Sequence, residues 1–152
     1  MAKKQPKIKS IEETLWESAN KLRGSVEPSE YKHVVLSLIF LKYANDRFDE
    51  RRSELIAEGK GAFVDQAVFY NAKNVFYIEE QSRWSFIMEN AKQNDIAIKI
   101  DKALSAIEDS NPSLKGALPS NYYSGLGLDR AKLAALLDEI NKIDTLKDPE
   151  ND

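Results

Sequence analysis

The residues that could do chemistry are few. His33 is the sole histidine and the chain has no cysteine, so no sulfur-ligated zinc site and no paired imidazole site can form. Asp46 or Asp49 with Glu58 and Lys60 offers the residue types used in magnesium-dependent phosphodiester hydrolysis. Those carboxylates must converge on one ion. Here they are strung along one helical stretch that ends at Gly59, so the expectation is divergence and no metal site. Gly125-Leu126-Gly127 has the spacing of a phosphate- or nucleoside-binding turn, but such a turn follows a strand. This one follows Tyr122-Tyr123-Ser124 in a loop and reads as turn glycines. Glu12, Glu13 and Glu17 read as the solvated face of a helix. Tyr122 and Tyr123, on a loop rich in glycine, are the candidates for exposed contact or base stacking. No nucleophile–base pair stands out, and the catalytic and cofactor-binding expectation for this chain is none.

Asn111-Pro112-Ser113-Leu114 invites a comparison with amino-group methylation of an extruded base. There an Asn or Asp, two prolines and an aromatic ring hold the target. Ser113 and Leu114 stand where the second proline and the ring belong, so Asn111-Pro112 reads as a helix stop.

The elements that would position these residues are helical. Ser10 and Glu13 form a capping box, and Ile11, Leu15, Ala19 and Leu22 recur at helical spacing up to Gly24. Pro28 opens a second helix with no breaker before Gly59, about 46 Å at 1.5 Å per residue. Its first half, Tyr31 to Tyr43, is apolar on most faces. Its second half narrows to Phe48 and Leu55 among charges, and the expectation there is a partly exposed arm over Asp46–Ala57. Residues 62–74 are ambiguous. Val75–Ile78 has strand character without a visible partner. Gln81–Lys92 reads as a helix. Asp95 is expected to cap the next, with Ile96, Ile100, Ala103, Leu104 and Ile107 inward. Lys115–Leu128 reads as a loop. Asp129 caps a last helix with Leu133, Leu136, Leu137, Ile140 and Ile143 inward. The fold class is all-α, five to seven helices around one long central helix. Residues 1–9 are a flexible basic tail, 10–146 the helical domain, and 147–152 a linker. Helix one, its turn and helix two could be named a helix-turn-helix, but the second helix is too apolar at its start to lie in a major groove.

The chain has 152 residues, 42% of them hydrophobic, and a net charge of −3. That is one domain with enough apolar surface for a core. The longest apolar run, Val34–Leu41, is too short to span a bilayer, and Met1-Ala2-Lys3-Lys4 has no apolar stretch after it. The expected setting is soluble and cytoplasmic. Residues 1–60 carry 12 Lys and Arg against 10 Asp and Glu; residues 61–152 carry 10 against 15. A free-standing DNA binder has a broader basic footprint, so phosphate contact here would be local.

A set of ordered pieces then resembles a known family. They are Leu15-Trp16, Leu22-Arg23-Gly24, Glu30-Tyr31-Lys32, Leu38-Ile39-Phe40-Leu41-Lys42-Tyr43, Asp46 with Phe48, Arg83-Trp84, Asn111 to Gly116, and Leu118-Pro119 with Tyr122. The chain resembles the N-terminal helical domain of the modification subunit of type I restriction–modification systems. The resemblance implies a multi-subunit enzyme that methylates adenine N6 with S-adenosylmethionine. Two modification subunits work with a specificity subunit, a restriction subunit can join, and double-stranded DNA is held within the complex. The cofactor loop and the Asn-Pro-Pro-aromatic loop are absent here, so the 152 residues alone are not expected to methylate DNA or to bind the cofactor. On this resemblance Arg23, Lys32, Lys42, Arg47, Arg83 and Lys115 are candidate contacts to phosphates or partner helices, with Tyr122 and Tyr123 on the loop. Lys42 and Arg47 are preferred because they leave an otherwise apolar helix. The alternative is a protein-interaction module, with the arm Asp46–Ala57 burying Phe48 and Leu55 on the specificity subunit.

Overall fold

A computed structural model describes residues 28–143 and 145–146. The expected first helix with its capping box, the basic tail and the linker lie outside the described residues. Within them the domain is all-α, with six α-helices and three 3₁₀ turns. Helix α1 runs Pro28–Ala57, α2 Val68–Asn71, α3 Trp84–Glu89, α4 Ile96–Ser110, α5 Tyr122–Gly125 and α6 Arg130–Asn141.

Gly59 ends α1 as its chemistry requires, and Pro28 is the first described residue of the helix. Gly59 is left-handed at φ +79°. The amide of Gly59 donates to Ile56 O and that of Lys60 to Leu55 O, which closes the last carbonyls in a Schellman motif. In the first half of α1, Val34, Val35, Leu38, Ile39 and Leu41 are buried. They share one core with Ile100, Ala103, Leu104 and Ile107 of α4 and Leu133, Leu136, Leu137 and Ile140 of α6.

The second half of α1 is partly exposed, as expected, but its apolar stripe is covered by the domain itself and not left for a partner. Phe48 and Leu55 are fully buried, and Arg51 is nearly so. The chain doubles back through a 3₁₀ turn at Gly61–Phe63 and through α2, and it covers this half. Tyr70 of α2 stacks on Phe48 with centroids 4.8 Å apart, and Tyr77 meets both rings edge-on. Arg51 Nε donates to Phe69 O at 3.0 Å, so the arginine fastens the covering segment instead of facing solvent.

Val75–Ile78 is neither helix nor strand among the described residues. Side chains satisfy the backbone that a neighbouring strand would otherwise pair. Asn74 is left-handed, and Val75 N donates to Tyr70 O, ending α2 as Gly59 ends α1. Asn71 Nδ2 donates to Val75 O, Asn111 takes both backbone groups of Tyr77, and Arg83 Nε donates to Ile78 O.

The helix expected over Gln81–Lys92 is broken. A 3₁₀ turn at Glu80–Ser82 precedes α3, and Arg83 between them is extended. Two long-range bonds hold the break. Ser82 Oγ donates to Ala103 O at 2.9 Å, and Trp84 N donates to Asn45 Oδ1 at 2.9 Å. Asp95 stands before α4 but does not cap it. Its carboxylate accepts from Lys99 Nζ at 2.9 Å, and that bond holds its pKa below the usual carboxylate range. Asp129 does cap α6, accepting from Ala131 N at 3.0 Å. The loop expected over Lys115–Leu128 contains α5, one turn long.

Candidate functional site: the polar framework and the exposed face of α1

The side chains that do the most structural chemistry are buried and polar. Asn111 is 1% exposed. Its Oδ1 accepts from Tyr77 N at 2.8 Å and from Asn71 Nδ2 at 3.0 Å. Its Nδ2 donates to Tyr77 O at 2.9 Å and to Ile107 O at 2.8 Å. Both lone pairs and both protons of the amide are engaged, so Asn111 is more than a helix stop and has nothing left to offer a base. Asp101, on the inward side of α4, accepts from Tyr123 N at 2.8 Å and Ser124 N at 2.9 Å. It thereby caps α5 from another helix, where the amides and the helix dipole favour an anion. Asn45 and Asn141 hold the two nitrogens of Trp84, the latter at 2.7 Å from Nε1.

The eight candidate contact residues separate on inspection. Arg23 lies outside the described residues. Lys42, one of the preferred pair, is 8% exposed. Its Nζ donates to Asp46 Oδ2 at 2.6 Å and to Ile143 O at 3.0 Å, so it does not face a ligand. Tyr123 is fully buried, and its phenol donates to Val34 O at 2.6 Å. Burial drives its pKa far above the ordinary phenol value. Tyr122 is half-buried and donates to Glu30. Its pKa is raised by burial and then by that carboxylate. The loop tyrosines are therefore anchors; neither ring is a free stacking platform. Arg83 is half-buried, with its guanidinium 4.9 Å from the centre of the Phe48 ring. That is cation–π distance, and it binds the domain's own aromatic cluster.

Lys32, Arg47 and Lys115 remain at the surface. Lys115 is exposed on the loop after α4. Lys32 is exposed and Arg47 half-exposed, with Arg47 paired to Glu50 at 2.6 Å. At 100° per residue, positions 32, 36, 43 and 47 share one face of α1. Leu36 and Tyr43 between the two cations are 45% and 43% exposed. Lys32 and Arg47 are about 22 Å apart along the axis at 1.5 Å per residue. This mixed cationic and apolar stripe is the candidate contact surface that the structure brings together from the sequence-derived set.

No group of histidine, cysteine or carboxylate side chains among the described residues could hold a metal. His33 is exposed. Asp46 is taken by Lys42 and Thr145, while Glu58 pairs with Lys60 at the surface. Gly125 ends α5 and Gly127 is a left-handed turn residue. No helix among the described residues is long and apolar enough to cross a membrane.

These features describe an all-α domain whose buried polar groups serve its own scaffold. The family model of the HsdM N-terminal domain matches residues 11–142. The methylase subunit of the type I restriction enzyme MjaIX from Methanocaldococcus jannaschii is 32% identical over 148 residues. That match covers 88% of this chain and 26% of the relative, so the chain spans about a quarter of its length. The chain belongs to the HsdM N-terminal domain family.

Proposed function

We propose that this domain supplies backbone contact with DNA and an assembly surface to the methylation subunit of a type I restriction–modification enzyme. In that reading the assembled enzyme transfers a methyl group from S-adenosylmethionine to adenine N6. Its partners are a second modification subunit, a specificity subunit and a restriction subunit. The domain itself performs no bond chemistry. It orients the duplex through phosphates, which fix register but read no sequence. The single observation that carries the reading is Lys32 and Arg47 on one open face of α1, in a chain of this family.

The test is charge reversal at Lys32 and Arg47 in the methylation subunit, with duplex affinity followed against salt. Each lost phosphate contact lowers the slope of log K against log salt by about 0.9. The double variant is expected to bind more weakly and with a shallower slope, with the subunits still assembled. Unchanged affinity and slope would overturn the phosphate role.

A second reading, docking on the specificity subunit, is favoured by the exposure of Leu36 and Tyr43 on the same face. Phe48 and Leu55 do not serve it, since the domain already buries them. Loss of assembly in Leu36→Asp with Tyr43→Asp, at unchanged DNA contact by the free subunit, selects that reading.

A further inference from the structure

Lys42 is the cation expected to reach outward, and its actual partners give it another task. Its Nζ is bound to Asp46 on the next turn of α1 and to the carbonyl of Ile143, 101 residues away in sequence. The same Asp46 oxygen accepts from Thr145 Oγ at 2.7 Å. α6 ends at Asn141, so both long-range partners lie just beyond it. Ile143 is buried. A buried ammonium, a carboxylate, a carbonyl and a hydroxyl thus join the middle of the longest helix to the stretch by which the chain leaves α6.

We propose that Lys42 and Asp46 form a latch that makes Ile143 and Thr145 part of the rigid domain and so fixes the direction in which the following polypeptide departs. The arrangement serves direction better than stability. An ion pair taken from water gains little net energy, because desolvation offsets its attraction. A bond from a charged group to one particular carbonyl, by contrast, fixes geometry. The clasp also sits halfway along α1, about 21 Å from Pro28 at 1.5 Å per residue, where both halves of the helix are packed. A segment held there inherits the rigidity of the whole core. Lys42 and Asp46 are accordingly positioning residues; they act on whatever follows residue 146 without touching DNA. The consequence for methyl transfer rests on the proposed function above. The latch itself does not.

The first test uses the 152-residue chain. Lys42→Met keeps the apolar stem and removes the ammonium. Hydrogen exchange in peptides covering 141–147 is expected to quicken about tenfold or more, with α4 peptides unchanged, because the opening is local. Lys42→Arg is expected to restore most of the protection. Unchanged exchange in a folded Lys42→Met chain overturns the latch. So does an equal loss of protection through α1 and α4, which would make Lys42 a general stabiliser. Should Lys42→Met fail to fold, Thr145→Val removes one arm and is read the same way, with a smaller expected increase. The second test uses the methylation subunit assembled with its partners, S-adenosylmethionine and a duplex carrying the target adenine. Lys42→Met is expected to lower kcat with little change in KM for S-adenosylmethionine. An unchanged kcat with loosened exchange overturns the directional role. Failure of the proposed function looks different: deleting the whole domain would then leave methyl transfer intact.

Discussion

Replacing Asn111 by leucine keeps the approximate bulk and removes all four hydrogen bonds of the amide. Two of its partners, the N–H and C=O of Tyr77, are bonded to this side chain alone in the described framework. Asn71 Nδ2 retains Val75 O, but Ile107 O lies in the last turn of α4, where Asn111 N turns to Glu108 O, so it loses its side-chain donor. The cost therefore rests on three orphaned backbone groups at about 1–3 kcal/mol each. Misfit of the branched side chain in a packed site adds to it. The expected destabilisation is about 3–5 kcal/mol, a large share of the roughly 5–15 kcal/mol typical of a domain. Urea unfolding followed by tryptophan emission and by helical circular dichroism reads it directly. Asn111→Asp sharpens the test. It keeps the acceptor toward Tyr77 N but sets an anionic oxygen against the carbonyls of Tyr77 and Ile107. The folded pKa of that new carboxyl would be raised. Its stability contribution is therefore present in acid, where the protonated form can donate, and lost as pH rises. Asn111→Asp should be closest to the parent near about pH 4 and furthest from it near about pH 7. A leucine variant within about 1 kcal/mol of the parent would refute the reasoning. So would an aspartate variant that gains relative stability as pH rises.

Two other perturbations follow from the same framework. Asp101→Ala removes two charge-assisted bonds to the amides of α5 and should cost about 2–3 kcal/mol. Its mark is early exchange of Tyr123 and Ser124, while α4 stays protected; retention of their protection would contradict the capping role. The phenols of Tyr70, Tyr77, Tyr122 and Tyr123 are all raised, burial being the first cause in each. They contribute stability that is intact below the unfolded phenol pKa of about 10 and is lost as pH rises through the folded values. Tyrosinate absorbance from these four phenols should therefore climb with alkaline unfolding and not before it. Tyr123→Phe should make stability fall less steeply above about pH 10, and an equally steep fall would count against the assignment.

Local chemistry makes much of the fold legible. Gly59 ends α1, the spacing of Ile96, Ile100 and Leu104 announces α4, and Asp129 opens α6. Expectation and structure part mainly where a polar residue lies inside. Asn111 meets Tyr77 34 residues away, and Asp101 meets Tyr123 22 residues away. No short-range pattern encodes such pairs. Asp101 does leave a trace, since it stands three residues before Leu104 on the apolar side of its helix. Lys42 leaves one too. An acid four residues after a lysine on an otherwise apolar face suits a partly buried pair, and that arrangement competes with an outward contact. The arm departs from expectation for a different reason. Its narrow apolar stripe is plain in the sequence, but its cover comes from residues 61–78, where glycine, aromatic and polar residues alternate without period. In the contact surface, Lys32 and Arg47 are legible as cations, and only the burial of Lys42, Tyr122 and Tyr123 separates them from the rest.

The stretch 75–78, which is neither helix nor strand, has a further consequence. A lone extended segment is ordinarily an open template on which a second chain can add its own backbone. At Tyr77 that invitation is withdrawn, because one asparagine side chain already occupies the donor and the acceptor a visiting strand would use. A domain of this family is proposed to work beside a second copy of itself, at high local concentration. Asn111 thus leaves Tyr77 without a free backbone donor or acceptor at which a second copy could add a strand.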